Sequence, residues 1–208
     1  MIRIRLFRKL SAIVILMAAL FSGCRSSAPP VEFYTLTSLS AEAKKADSTA
    51  TAPNIAVGIG PVQIPHVLDR PQIVTRAAPN KLTLDEFHRW AAPLEADFAQ
   101  VLAQNISILL PTDKVAVYPW GVAFRPDYRI ALDIRTFEGQ WGKNVILDVL
   151  WRVTDPADQN TLASKKSVIT EPLPTEDYEA LVAAQSQALA RLSREIVQEI
   201  RNLHSATN

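Results

Sequence analysis

The chain of 208 residues carries few groups at the spacing that chemistry requires. Its three histidines, His66, His88 and His204, fall in separate stretches, and none stands in the His-x-x-x-His spacing that places two imidazoles on one helical face for a metal. Asp85 and Glu86 precede His88 in "DEFHRW", a grouping that can be assembled on paper into an acid and a base. With no second group at a known spacing, it reads as a solvated loop ahead of a helix. No Gly-x-Ser-x-Gly elbow occurs. "GIGPVQ" from Gly58 has two of the three glycines of a dinucleotide fingerprint, inside a predicted strand with no helix opening behind it, so it reads as backbone packing. Two other stretches suggest binding. "IPHVLDRPQIVTR", residues 64–76, sets Leu68, Asp69 and Arg70 at a turn stiffened by prolines, and "DEFHRWAAPL", residues 85–94, gathers Phe87, Arg89 and Trp90. Phe, Trp and Arg grouped on loops are the residue types that anchor partners. The competing reading has Trp90 closing the core while Arg70 and Arg89 pair with acids.

One reactive group is left, Cys24, and as the single cysteine it has no disulfide partner within the chain. Arg3, Arg5, Arg8 and Lys9 form a positive patch without an acid, followed by an apolar run from Ala12 to Phe21. That run is short of the roughly 20 apolar residues a membrane span needs, so residues 1–23 read as a removable export signal. Ser22 and Gly23 are small enough to leave the bond before Cys24 open to a peptidase. Leu20-Phe21-Ser22-Gly23-Cys24 resembles the lipobox of bacterial lipoproteins. The resemblance implies a diacylglycerol on the Cys24 thiol, cleavage before it, and a third acyl chain, such as palmitate, on the new amino terminus. A lipidated thiol is no nucleophile. The alternatives are an ordinary secretory signal with a chance cysteine, or a retained anchor. Arg25 follows where sorted lipoproteins of the inner membrane carry Asp, so the resemblance implies the outer membrane, facing the periplasm.

Behind that anchor the composition is that of a soluble body. Taking the four basic residues of the leader from 22 leaves 18 against 21 acids, a net charge of about −3 and no footprint for nucleic acid. About 185 residues suit one domain with its own core, and with no second cysteine that core must be held by packing.

The elements follow from hydrophobic period. Residues 24–30 form a short tether, "VEFYTLTSL" reads as a first strand, and residues 40–53 read as a flexible loop with nothing to bury. Residues 55–64 are a second strand in which Gly60-Pro61 predicts a bulge or an edge. Residues 72–76 and 81–84 predict a hairpin around "AAPN". A helix from about Pro93 to Leu110 puts Leu94, Phe98, Val101, Leu102, Asn105, Ile108 and Leu109 on one face. Residues 128–137, 145–153 and 161–170 alternate as an antiparallel meander. A last helix, capped by Thr175, carries Leu181, Val182, Leu189, Leu192, Ile196, Ile200 and Leu203. The expected fold is α/β (α+β), a single layered domain over residues 31–205 with a mixed sheet, the meander and two long helices.

"FYTL", "VGIGPVQIPHVLDRPQIVTR" and "FHRWAAPLEADFAQVLAQNI", behind a lipobox, resemble the ABC-type transport auxiliary lipoprotein family over nearly the whole mature chain. The resemblance implies no enzymatic activity and no cofactor beyond the covalent lipid on Cys24. It implies an accessory of intermembrane lipid-transport systems built on mammalian-cell-entry (MCE) domain proteins, supporting membrane integrity. On this reading Leu68, Asp69, Arg70, Phe87, Arg89 and Trp90 grip an MCE-domain protein or neighbouring copies in a homo-oligomeric ring. The alternative is a lipoprotein carrying a lipid or hydrophobic solute in its own cavity, and an envelope hydrolase is a third.

Overall fold

The computed structural model describes residues 29–40, 55–110, 112–157 and 160–207. The leader, Cys24, most of the tether and nearly all of the loop expected at 40–53 lie outside the described residues. Contacts divide the chain into Met1–Pro30 and Val31–Asn208, and the second unit forms the body described below.

Its elements are β1 (Glu32–Tyr34), β2 (Val57–Gln63), β3 (Gln72–Ala78), β4 (Lys81–Trp90), α1 (Leu94–Leu109), β5 (Val115–Val117), β6 (Tyr128–Gln140), β7 (Lys143–Thr154), β8 (Thr161–Leu173) and α2 (Tyr178–Thr207). Together they make an α+β domain with one mixed sheet and two helices, as expected. Strand β6 is the spine. On one edge it pairs antiparallel with β7, and β7 with β8, which is the predicted meander in the registers Ile134↔Val149 and Leu147↔Ile169. The alternation works as period 2 requires: Ile130, Leu132, Ile134, Val145, Leu147, Val149, Trp151 and Val153 are all buried.

The other edge of β6 is shared. Strand β2 runs parallel to it along Tyr128–Asp133, and β3, also parallel, meets it at Thr75↔Gly139. Residues 64–71 join the two, and β5 continues the sheet beyond β2 while β4 and then β1 continue it beyond β3. The register shift between Ile59 and Val62 is the bulge that Gly60-Pro61 predicts, in an interior strand and not at an edge.

Helix α1 packs on β2 and β5, α2 packs on β6, β7 and β8, and the helices pack on each other. The buried face of α1 is as predicted at Leu94, Phe98, Val101, Leu102, Asn105 and Leu109, but Ile106 is the fully buried isoleucine and Ile108 only half-buried. Phe98 meets Phe137 of the sheet edge-on, ring centroids 5.4 Å apart. The cap of α2 is Asp177 and not Thr175: its carboxylate accepts from the Glu179 and Ala180 amides at 3.3 and 3.0 Å. At the sheet, Gly139 makes room for α2. A β-carbon there would sit 3.1 Å from Leu173 Cδ2 and inside contact of Leu181 Cδ1.

The first strand is shorter than the β-branched run suggested, because helices capture its continuation. Asp97 accepts from the Leu36 amide at 2.8 Å and from the Thr35 hydroxyl at 3.0 Å. Ser186 accepts from the Thr37 amide at 3.0 Å, and Asn105 from the Leu39 amide at 2.7 Å. Fully buried Asn105 also donates to Ser193 Oγ at 3.1 Å, so one side chain ties the segment 35–39 to both helices.

Candidate functional site

The connection between β2 and β3 is a tight turn, with the Leu68 and Asp69 amides donating to the Pro65 carbonyl at 2.8 and 3.2 Å, and Arg70 to Leu68 at 2.9 Å. Leu68, 3 % exposed, plugs that turn into the core, while Asp69 stays in solvent. At the end of β4 the Trp90 amide donates to the Pro71 carbonyl at 2.7 Å and the Ala91 amide to Tyr34 at 2.8 Å. The two stretches singled out in the sequence therefore meet. They enclose a pocket of about 320 Å³ lined by Asp69, Arg70, Pro71, Trp90, Ala91, Ala92 and Pro93, at the entrance to α1.

The six candidate residues divide by environment. Trp90 is 5 % exposed and belongs to the core with Leu68, so Trp90 offers a partner no more than an edge within the pocket wall and Leu68 does not line it. Arg70 is half-buried, and its Nε is buried without a hydrogen-bond partner among the described residues. Phe87 and Arg89 lie on β4, since residues 85–90, read as a loop, are strand. A register break between Val74↔Leu84 and Gln72↔Arg89 masks the period there, with Asp85 accepting from the Phe87 amide at 2.8 Å across it. Arg89 is occupied by Glu86, at 3.0 Å to its carboxylate and 2.9 Å to its carbonyl. Phe87 is 36 % exposed, and Phe33, opposite Arg89 in the β1–β4 register, is 66 % exposed.

His88 turns the other way, toward α2. Its ring stacks on Tyr178 at 3.9 Å, Tyr34 lies 5.9 Å away, and Trp141 meets Tyr178 edge-on at 5.1 Å. Asp85 Oδ1 stands 2.9 Å from His88 Nδ1 and Glu32 3.7 Å from Nε2. Burial works against the Asp85 carboxylate, but hydrogen bonds from the His88 ring and from the Phe87 and His88 amides outweigh it and hold its pKa below the ordinary value. Burial, with Asp85 beside it, pushes the Tyr178 phenol up to about 12, and burial with Glu32 raises Tyr34 as well. The arrangement is an aromatic clasp between β1, β4 and α2. Both imidazole nitrogens face carboxylates, Asp85 at Nδ1 and Glu32 at Nε2. Among the described residues no group of three His, Cys, Asp or Glu side chains is placed to hold a metal.

One feature escaped the sequence reading altogether. From β5 to β6 the chain crosses over β2 through residues 118–127, passing above Gly58 and Gly60. These glycines alternate with fully buried Val57 and Ile59 on the opposite face, and a β-carbon on Gly58 would lie 2.7 Å from the Trp120 ring. So "VGIG" is backbone packing, and what it packs against is an aromatic strap. Tyr118, Trp120 and Phe124 meet edge to face at 5.6 and 5.9 Å, and the Arg129 guanidinium lies 5.7 Å from the Tyr118 ring and 5.9 Å from the Trp120 ring. The signal available was Gly-x-Gly on one strand face together with "YPWGVAF".

Comparison with known proteins adds the following. The pattern of a family described as the ABC-type transport auxiliary lipoprotein component matches residues 34–197. The intermembrane transport lipoprotein PqiC of Escherichia coli (strain K12) and that of Shigella flexneri are each 25% identical over 192 residues, 92% of this chain and 97% of the relative. Among solved structures, a Xanthomonas campestris protein superposes with a TM-score of 0.68 at 19% identity, covering 85% of this chain and 98% of that one. A second, uncharacterised protein gives 0.67 at 19%, over 83% and 99%. At that identity the two structures establish the fold alone.

Proposed function

The chain belongs to the ABC-type transport auxiliary lipoprotein family, and from that premise we propose that it is the outer-membrane docking subunit of an intermembrane lipid-transport system built on MCE-domain proteins. Acyl chains on Cys24 fix it to the inner leaflet of the outer membrane. Each buried methylene contributes roughly 0.8 kcal/mol, so two or three chains hold durably where one does not. The body then presents the pocket at Asp69, Arg70 and Ala91–Pro93, with Phe33 and Phe87 nearby on β1 and β4, to the MCE protein or to neighbouring copies. Several weak contacts on an anchored ring add by avidity and keep the mouth of a lipid conduit against its target membrane, which is how such a subunit supports envelope integrity.

The observation that supports this reading most is the meeting of the two stretches at one solvent-open pocket beside an arginine with an unpartnered Nε. The carrier reading has less support. The apolar faces of α1 and α2 are consumed by the sheet, and the groove of about 680 Å³ between β1 and α2 is open to solvent and sets Glu32, Asp177 and Glu179 beside Phe33, Tyr34 and Val182, so an acyl chain there would lie against carboxylates.

The test is extraction of the lipidated protein from envelopes in mild detergent, capture by a carboxy-terminal tag, and identification of what co-purifies. An MCE-domain protein lost on Arg70→Glu or Asp69→Lys is the expected result. Recovery of the protein alone with bound lipid refutes docking and supports the carrier.

A further inference from the structure

We propose that the aromatic strap between β5 and β6 is a second membrane contact, an interfacial wedge for an anionic phospholipid surface. This rests on the reading of the chain as a lipid-anchored envelope protein. The tip of the strap is Gly121-Val122-Ala123, and Val122 is 100% exposed. Tyr118, behind it, is 54 % exposed, and Trp120 and Phe124 are half-buried. An apolar tip with Tyr and Trp one layer behind it is the order in which these side chains sit at a bilayer boundary.

Two cations and one acid stand near the tip. Arg125 is exposed beside it, and Arg129 stands over the aromatic rings. The neighbouring acid, Asp127, is exposed as well, with one carboxylate oxygen accepting from the Ala56 amide at 2.7 Å, so the cations exceed it by one. A cation held at an anionic leaflet favours the bound state about fivefold. The strap is also held in shape. Trp120 is seated on Gly58, and Arg129 Nε donates to the Gly60 carbonyl at 3.0 Å, so the tip projects without an ordering cost on contact.

The experiment uses the full lipidated chain carrying Val122→Cys. Lipidation consumes Cys24, so the new thiol is the only one to accept an environment-sensitive fluorophore. The protein is reconstituted in vesicles of phosphatidylethanolamine and phosphatidylglycerol, with Gln187→Cys, exposed on α2, as the comparison site. The expected result is a blue-shifted emission at 122, quenched by doxyl-labelled lipid and diminished when phosphatidylglycerol is replaced by phosphatidylcholine, with no shift at 187. Protein that floats with the vesicles while the label at 122 stays in water overturns the wedge and leaves the anchor reading intact. A blue shift without doxyl quenching assigns the tip to a second copy of the chain and overturns it equally. Equal shifts in anionic and neutral vesicles overturn the role of the cations. Protein that does not float overturns the anchor reading and the wedge together.

Discussion

Replacing Gly58 by alanine tests the seating of the strap on β2. The new β-carbon would lie 2.7 Å from Trp120 Cη2, 2.9 Å from Cζ3 and 3.2 Å from Pro126 Cγ. Ordinary contact begins at 3.4 Å, so the indole must withdraw by about 0.7 Å, the difference between 3.4 and 2.7 Å. It is held edge-on by Tyr118 and Phe124 and faced by Arg129, so the move disturbs the whole cluster. Overpacking of this kind costs about 1–3 kcal/mol, which lowers Tm by about 2–4 °C per kcal/mol in a body of this size. The informative experiment repeats Gly58→Ala in a Trp120→Ala background. Gly60 and Gly142, and not Gly58, have positive φ, so alanine at 58 is conformationally at ease once the ring is gone. Only the 3.2 Å approach to Pro126 Cγ then remains, so the cost should fall well below that in the parent. Urea unfolding of the four proteins, followed by far-ultraviolet circular dichroism, gives the coupling. Equal effects of Gly58→Ala in both backgrounds would refute the packing argument.

The same logic applies on the core side, where Gly139→Ala should destabilise by about 1–3 kcal/mol and cost far less in a Leu181→Ala protein, measured by the same unfolding cycle. Asn105→Ala should leave the Leu39 amide without its partner, at about 1–3 kcal/mol, while the Ser193 hydroxyl keeps its bond to the Leu189 carbonyl, and proteolysis should then cut near residues 35–39 at lower urea. For Tyr178 the neutral form is favoured in the fold, with its pKa moved from 10.0 to about 12. Its contribution to stability is therefore complete below pH 10 and declines between pH 10 and about 12, as the unfolded chain ionises first. Urea midpoints measured across pH 9–12 should fall less steeply for Tyr178→Phe than for the parent.

The parts of the fold legible in the sequence are those held by a period. The meander from β6 to β8 and both helices repeat an apolar face long enough to be read, and the bulge at Gly60-Pro61 announces itself by residue type. What stayed hidden was decided at long range. Residues 35–39 read as strand but have their amides taken by Asp97, Asn105 and Ser186, and nothing local to "TLTSL" could reveal that. β5 is three residues long and shows no period, and the break near Asp85 scrambles the alternation of β4. The candidate site was legible as two stretches but not as one place. Trp and Leu in a loop look alike whether they face a partner or the core, and here Trp90 and Leu68 face the core while Asp69 and Arg70 rim the pocket.

The lacing of residues 35–39 between the helices also sets how the body carries mechanical load. A pull from the amino-terminal side enters at Val31 and runs along β1, whose hydrogen bonds to β4 lie across that direction and are strained together in shear. Force that passes them reaches Asp97 and Asn105 on α1 and Ser186 on α2, so both helices brace the point of entry. Tension entering at Val31 is therefore borne first where residues 35–39 are bonded to both helices, while the strap between β5 and β6 lies at the far end of the sheet path from β1.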